Sequence, residues 1–236
     1  QAPRVHWPCT VPVSSAVDGA QRLDDLHVFT MNRRLVLSAL GCTLALAPLA
    51  ARALPADASA TARQLVRWAT DTADHQGLPF AVIDKPWARI HVFSAQGQWL
   101  GSAPVLLGAA RGDRSAPDLG TRPLAQIRPE ERTTPAGRFV TEPGRNLRGE
   151  DIVWIDYDSA VSLHRVRSVS AAERRHQRLA SGSARDKRIS YGCVNAPEAF
   201  YNQHIAPLFG QGPGVVYVLP DTEPFATFFI AANAYP

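Results

Sequence analysis

The chain has 236 residues, of which 45% are apolar, an ordinary proportion for a globular protein and enough for one sizeable domain or two small ones. Its formal net charge is +4, and the basic residues are interleaved with acidic ones along the chain. This distribution argues against nucleic acid as a partner, because nucleic-acid-binding segments concentrate Lys and Arg on one surface.

Residues 31–53 have the features of a secretory signal peptide. Two arginines follow the chain's single methionine, Met31, an apolar run of about 15 residues comes next, and the small-x-small sequence ARA closes the segment at 51–53. The run is shorter than the roughly 20 residues that span a bilayer. We therefore expect export to the periplasm or cell wall without a stable membrane span, and an untranslated or disordered extension at 1–30.

A helix and a larger β-rich domain are predicted next. Residues 54–78 contain Leu65 and Trp68 at helical spacing and Gly77 near the end, which predicts an N-terminal amphipathic helix. Residues 79–236 are predicted to form one domain that is mainly β with flanking helices, because short runs rich in Val, Ile and Phe alternate with turn signals. These runs are FAVIDK, ARIHVFSA, WLGSAPVLLG, GRFVTEP, DIVWIDYD, AVSLHRV and GVVYVLP.

Four other segments lack a strand pattern. We interpret 111–134 as a long polar loop and 170–187 as an exposed charged connection with one helical turn at most. A helix is predicted over 197–209, where Pro and Glu occupy the first turn. The apolar residues after the last predicted strand are interpreted as a tail.

An exported chain that begins near residue 54 contains one cysteine, Cys193, which cannot form an internal disulfide. Such a cysteine is a buried core residue, an intermolecular link or a reactive nucleophile. Gly192 precedes it and a predicted helix follows it, and backbone N–H dipoles at a helix start favour a thiolate. If the N–H groups of Gly192 and Cys193 point toward a substrate carbonyl, they also form an oxyanion hole.

A nucleophilic cysteine needs a nearby base. His164 lies in AVSLHRV, where alternation predicts that Ser162 and His164 face one side of a strand and Val161 and Leu163 the other. Because a rigid strand holds a base better than a loop does, His164 is the predicted general base. The competing interpretations are that His176, in the charged stretch ERRHQR, is the base, or that His164 is only a polar residue on a strand face.

Three short motifs together resemble the YkuD-type L,D-transpeptidases. SYGCVN at 190–195 resembles that family's S-H-G-C-hydrophobic-(R/N) signature, and TTPAGRF at 133–139 resembles its T-P-x-G-x-F/Y turn. VSLHRV at 161–166 falls where the family carries a strand histidine. The likeness runs over about 80–220, and the order of the motifs agrees with the family's order.

The resemblance implies a β-sandwich-like fold in which the cysteine and the histidine face a cleft. It also implies an enzyme that attacks the bond before the terminal D-alanine of a peptidoglycan tetrapeptide stem, forms a thioester and passes the acyl group to an amine. Carried over to this chain, Cys193 is the nucleophile, His164 the general base, and Gly192 with Cys193 the oxyanion donors.

Four further residues are expected at the substrate site on the same resemblance. Ser190 and Asn195 would shape the site. Tyr191 stands where the family more often has histidine, and Arg165 follows the catalytic histidine where glycine is usual, which predicts a long side chain beside the cleft.

The same residues also suit two other functions. An L,D-carboxypeptidase would transfer the acyl group to water, and a non-catalytic cell-wall-binding module would keep the fold without the chemistry. The expected partners are peptidoglycan stem peptides, with a second stem, an anchored protein or a free D-amino acid as acceptor. No cofactor is implied, and one cysteine with scattered histidines lacks the spacing of a metal site.

Overall fold

A computed structural model describes residue 54, residues 58–168 and residues 170–236. The predicted extension at 1–30 and signal peptide at 31–53 lie outside the described residues. The described part is mainly β, with a large, nearly closed mixed sheet and a few helices. None of its helices is long and apolar enough to cross a bilayer.

Eight of the ten strands in the described part form one sheet. The strands are β1 (Phe80–Asp84), β2 (Arg89–Phe93), β3 (Trp99–Pro104), β4 (Leu107–Gly108), β5 (Gly137–Arg145), β6 (Asp151–Asp156), β7 (Val161–Arg165), β8 (Arg188–Ser190), β9 (Val194–Ala196) and β10 (Gly214–Val218). Their order in the sheet is β3-β2-β1-β10-β5-β6-β7-β9, and β4 pairs with β8 in a separate parallel ladder.

The two edges of the large sheet approach each other. Leu106, which follows β3, exchanges two backbone hydrogen bonds of 2.9 Å with Asn195 in β9. The ladder of β4 and β8 continues from this contact, because Leu107 pairs with Arg188. The bridge between Leu106 and Asn195 thus links the two edges of the nearly closed sheet next to the SYGC sequence.

The main core lies on one face of the sheet. Strand alternation places Val161, Leu163, Val194 and other apolar residues in this core. The helical segment at 198–209 packs against it. This segment consists of α3 (Glu198–Phe200), a π-helical turn (Tyr201–Ile205) and α4 (Ala206–Phe209).

A second core covers the other face near β1 and β10. Helix α1 (Ala60–Asp71), which lies within the predicted helical segment, begins at Ser59, whose hydroxyl accepts a 3.0 Å hydrogen bond from the Ala62 N–H. The C-terminal residues interpreted as a tail instead form α5 (Phe225–Phe228) and α6 (Ile230–Asn233). Phe229 and Ala232 are buried in this core, so apolar burial holds the segment in place.

The predicted exposed connection at 170–187 contains more structure than expected. It includes α2 (Arg175–Ala180) between two 3-10 turns, Ala171–Glu173 and Arg185–Lys187. Leu179 on α2 is buried in a small cluster with Leu106 and Val166. The helix therefore docks beside the edge strand β9.

Candidate functional site

The predicted base lies on β7, and the predicted nucleophile immediately precedes the neighbouring strand β9. β7 and β9 are parallel neighbours, with His164 opposite Asn195 and Leu163 opposite Val194. Since Leu163 and Val194 are in the main core, the side chains of Ser162, His164 and Asn195 face the opposite side. The alternation predicted for AVSLHRV is confirmed in β7.

Cys193 is present as a partly exposed thiol immediately before β9. Its Sγ lies 3.6 Å from the Ser162 Oγ, which donates to sulfur, and 3.6 Å from the Ala160 carbonyl oxygen. The expectation that Cys193 begins a helix is wrong, because β9 intervenes and α3 starts at Glu198. The Ser162 side chain and the Ala160 carbonyl group, rather than a helix N-terminus, contact the sulfur atom.

The hydrogen bonds of His164 define its tautomer. Its Nδ1 lies 2.7 Å from the carbonyl oxygen of Arg165, which can only accept, so Nδ1 carries the hydrogen. Its Nε2 lies 3.3 Å from the Asn195 Nδ2, an amide nitrogen that donates. These two partners assign the hydrogen to Nδ1 and the lone pair to Nε2. A role for Nε2 as a base would require the Asn195 N–H to leave it.

Asn195 connects the base to the cysteine residue. Its Nδ2 also donates to the Cys193 carbonyl oxygen at 3.3 Å, and its Oδ1 accepts a 2.7 Å hydrogen bond from the Arg175 Nη1. The Asn195 side chain is buried. Sequence reasoning missed Arg175, since the basic stretch that contains it gave no indication that a long side chain turns inward.

Gly192 adopts a backbone conformation that favours glycine, with φ +138°. A Cβ at this position would lie 2.8 Å from the Thr133 carbonyl oxygen. The Gly192 N–H, predicted to be an oxyanion donor, donates to the Ser190 Oγ at 3.1 Å. An oxyanion role for this N–H would require it to leave that bond.

Ser190, predicted to shape the substrate site, closes the SYGC turn. Its hydroxyl donates to the Cys193 carbonyl oxygen at 2.6 Å while it accepts from Gly192. The residue is 4% exposed. Ser190 therefore fixes the backbone that carries the thiol.

The TTPAG turn and the SYGC turn, two separate motifs in sequence, are in direct contact. The hydroxyl of the buried Thr134 donates to the Gly192 carbonyl oxygen at 2.8 Å and accepts from the Gly108 N–H at 2.9 Å. Lys85 adds a 2.7 Å hydrogen bond to the Thr134 carbonyl oxygen. The hydroxyl and the carbonyl oxygen of Thr134 are thus both held by hydrogen bonds.

Lys85 and Asp113 form a buried ion pair behind this turn. The ammonium group of Lys85 lies 2.7 Å from the Asp113 Oδ1, and both side chains are inaccessible to solvent. Burial alone would raise the pKa of the Asp113 carboxyl. Hydrogen bonds from Lys85, Thr222 and the Glu223 N–H outweigh it and hold that pKa well below its ordinary value.

The predicted polar loop at 111–134 packs against the site. Leu119 and Ile127 form a small apolar cluster with Ala160, whose carbonyl oxygen contacts the Cys193 sulfur. The loop also contains two 3-10 turns, Leu124–Gln126 and Pro129–Glu131. Through this apolar cluster the loop packs against Ala160, which lies in the connection between β6 and β7.

Two of the predicted substrate-binding residues have other contacts. Tyr191 is 37% exposed and stacks on Arg132, whose Cζ lies 4.2 Å from the ring centroid. Arg165 is directed away from His164: it forms an ion pair of 2.8 Å with Asp151 and lies over the Tyr201 ring at 4.3 Å. Because adjacent strand residues point to opposite faces, the Arg165 side chain lies on the other face of β7 from His164. A contact of Arg165 with substrate stays a prediction.

His176, the alternative base, is exposed on α2, one residue after the arginine that reaches Asn195. Among the described residues, no group of three or more His, Cys, Asp or Glu side chains is arranged to hold a metal ion.

Comparisons with known proteins identify no relative. No protein-family model matches the chain, and no curated protein is significantly similar to it. The functional argument therefore depends on the residues themselves.

Proposed function

We propose that the protein is an exported peptidoglycan L,D-transpeptidase of the YkuD type, a cysteine acyltransferase that acts in the periplasm or cell wall. The observation that carries the proposal is that two residues link Cys193 to His164. Ser162, on the His164 face of β7, donates to the Cys193 sulfur at 3.6 Å, and the Asn195 Nδ2 lies 3.3 Å from both the His164 Nε2 and the Cys193 carbonyl oxygen. The substrate class comes from the resemblance of the three motifs to that family. The contact between Thr134 and Gly192 supports the resemblance, since it joins two of those motifs.

In the first step, the Cys193 thiol turns from the Ala160 carbonyl oxygen and replaces the Asn195 amide at the Nε2 of His164. His164 then takes the thiol proton at Nε2, and the sulfur attacks the carbonyl carbon of the peptide bond before the terminal D-alanine. The carbonyl electrons move to oxygen and then return as the C–N bond breaks. The leaving amine of D-alanine takes the proton from the imidazolium. A thioester remains on Cys193.

In the second step, an acceptor amine attacks the thioester carbon, and its proton passes to His164. The C–S bond breaks, and the thiolate recovers its proton from the imidazolium. Water in place of the amine would give a carboxypeptidase with the same residues, so the identity of the product distinguishes the two activities.

The test is to incubate the purified protein with a disaccharide-tetrapeptide and to follow the products by mass spectrometry, with a Cys193→Ser variant as control. We expect the wild-type protein to release D-alanine and form a crosslinked dimer, and the variant to do neither. Tripeptide without dimer would identify a carboxypeptidase. Absence of D-alanine release from the wild-type protein would contradict the proposal and favour a non-catalytic wall-binding module.

A further inference from the structure

Arg175 is a nearly buried cation that contacts the candidate site from outside the predicted motifs. Its side chain is only 10% exposed, and its Nε lies 2.5 Å from the Glu173 Oε2. Its Nη1 donates to the Asn195 Oδ1 at 2.7 Å. Glu173 thus orients the guanidinium, and the guanidinium orients the asparagine amide.

The orientation of the Asn195 amide determines whether its nitrogen or its oxygen faces the Nε2 of His164. The two ends of an amide are similar in size and opposite in polarity, so its partners fix which end is which. The Arg175 cation beside Oδ1 is the shorter and charged contact, and the Cys193 carbonyl oxygen, 3.3 Å from Nδ2, favours the same orientation. With Oδ1 on Arg175, the Nδ2 donates toward Nε2 at 3.3 Å. In the flipped orientation, Nδ2 would face the cation and Oδ1 would stabilise a hydrogen on Nε2.

We propose that Arg175 is a positioning residue, which holds the Asn195 amide so that His164 keeps its lone pair on Nε2. This inference rests on the proposed function, because the tautomer matters only if His164 is the base for Cys193. Arg175 acts through Asn195 and does not touch the reacting atoms.

The chain supplies a matched control on the same helix. Arg178 is also on α2 and also contacts Glu173, donating from Nε to its carbonyl oxygen at 2.9 Å, while its Nη1 donates to the Asp186 carbonyl oxygen. These two hydrogen bonds connect Arg178 to nearby backbone carbonyl groups and not to Asn195. Replacing Arg178 therefore perturbs the helix without perturbing the amide.

The experiment compares Arg175→Met, Arg175→Lys and Arg178→Met in the full chain, with thermal unfolding measured for each. The ¹⁵N NMR shifts of the His164 ring report the tautomer without any substrate. The rate of Cys193 alkylation by iodoacetamide, followed by peptide mass mapping so that Cys9 and Cys42 are counted separately, reports how well the base works.

We expect Arg175→Met to increase the fraction of His164 rings that carry a hydrogen on Nε2, although the Arg165 carbonyl oxygen still favours a hydrogen on Nδ1. Cys193 alkylation at neutral pH should slow by about tenfold or more, since a positioned base contributes about 10²–10⁴. Arg175→Lys should restore part of both readouts, and Arg178→Met should change neither. An unchanged tautomer in a folded Arg175→Met protein would overturn the inference, as would an equal effect of Arg178→Met.

If Arg175→Met does not fold, Glu173→Gln tests the same link, because it loosens the guanidinium without removing it. A smaller shift of the tautomer in the same direction would support the inference, and no shift would overturn it. These readouts are separate from turnover. If Arg175→Met changes the tautomer but the wild-type protein releases no D-alanine, the proposed function is refuted and the positioning role of Arg175 stands.

Discussion

In the proposed mechanism, two residues of β7 act on Cys193. The Ser162 hydroxyl donates to the sulfur at 3.6 Å. The His164 ring is held by the Arg165 carbonyl at one nitrogen and by Asn195 at the other. In the proposed mechanism these groups are the nucleophile, the base and the residues that orient the base.

Replacing each candidate histidine separately identifies the base. We expect His164→Ala to lower the rate of D-alanine release by about 10²–10⁴, the usual contribution of a positioned general base. His176→Ala should keep nearly the wild-type rate, because His176 is exposed on α2. Release that survives His164→Ala and is lost in His176→Ala would reverse the assignment.

Gly192 should tolerate no side chain. Gly192→Ala combines a positive φ with a Cβ 2.8 Å from the Thr133 carbonyl oxygen, and backbone strain alone costs about 1–3 kcal/mol. Gly149→Ala is the control, because Gly149 also has a positive φ but open space around the Cβ position. Chemical denaturation should show the larger loss for Gly192→Ala, and equal losses would show that the contact with Thr133 is unimportant.

At the scale of elements, the spacing of apolar residues in the sequence correctly predicted the faces of β7 and the position of α1. Alternation placed Ser162 and His164 on one face of β7, and α1 begins and ends within the segment predicted for it. The inward course of Arg175 and the folding of the C-terminal residues depend on contacts between distant parts of the chain, which periodicity does not record. The helix predicted over 197–209 is present as α3, the π-helical turn and α4, but Cys193 does not stand at its start, because the three residues of β9 pair with β7 first.

The contact between the TTPAG and SYGC turns should stabilise both. Thr134→Val keeps the shape of the side chain but leaves the Gly108 N–H and the Gly192 carbonyl oxygen without their partner, and each buried unsatisfied group costs about 1–3 kcal/mol. Urea unfolding should show a loss in this range or above. Thr121→Val, at an exposed hydroxyl, is the control and should change stability little. Equal midpoints for both variants would contradict the role of the contact.

At the scale of the whole molecule, one buried ion pair joins segments far apart in sequence. Lys85 at the end of β1 binds Asp113 and the TTPAG turn, and Asp113 accepts backbone hydrogen bonds from Asp221, Thr222 and Glu223. These contacts hold the long loop and the segment after β10 against the site. Neither this pair nor the closure of the sheet by Leu106 and Asn195 could be predicted from the sequence, since nothing local marks Lys85 as buried.

The stability of the protein should fall in acid through Asp113. The folded state lowers the pKa of this carboxyl, so its contribution is fully present above the ordinary Asp pKa and is lost as pH falls below it. Asp113→Asn should therefore reduce the free energy of unfolding at neutral pH by about 3–5 kcal/mol and weaken its dependence on pH below about 4.

The control for this measurement is Glu223→Gln, which breaks the largely exposed pair with Arg114. Exposed ion pairs contribute about 0–1 kcal/mol, so this variant should resemble the wild-type protein across the pH range. An Asp113→Asn protein with the wild-type acid profile would show that the pair does not stabilise the fold.

The most direct test of the central claim is to look for the acyl group on Cys193. The wild-type protein and a Cys193→Ala variant are mixed with a tetrapeptide donor, quenched in acid and mapped by peptide mass spectrometry. The proposed mechanism predicts that D-alanine is released and that the rest of the donor is attached to the peptide containing Cys193, with neither event in the variant. Undiminished D-alanine release from Cys193→Ala, or an acyl group attached to another residue, would contradict it.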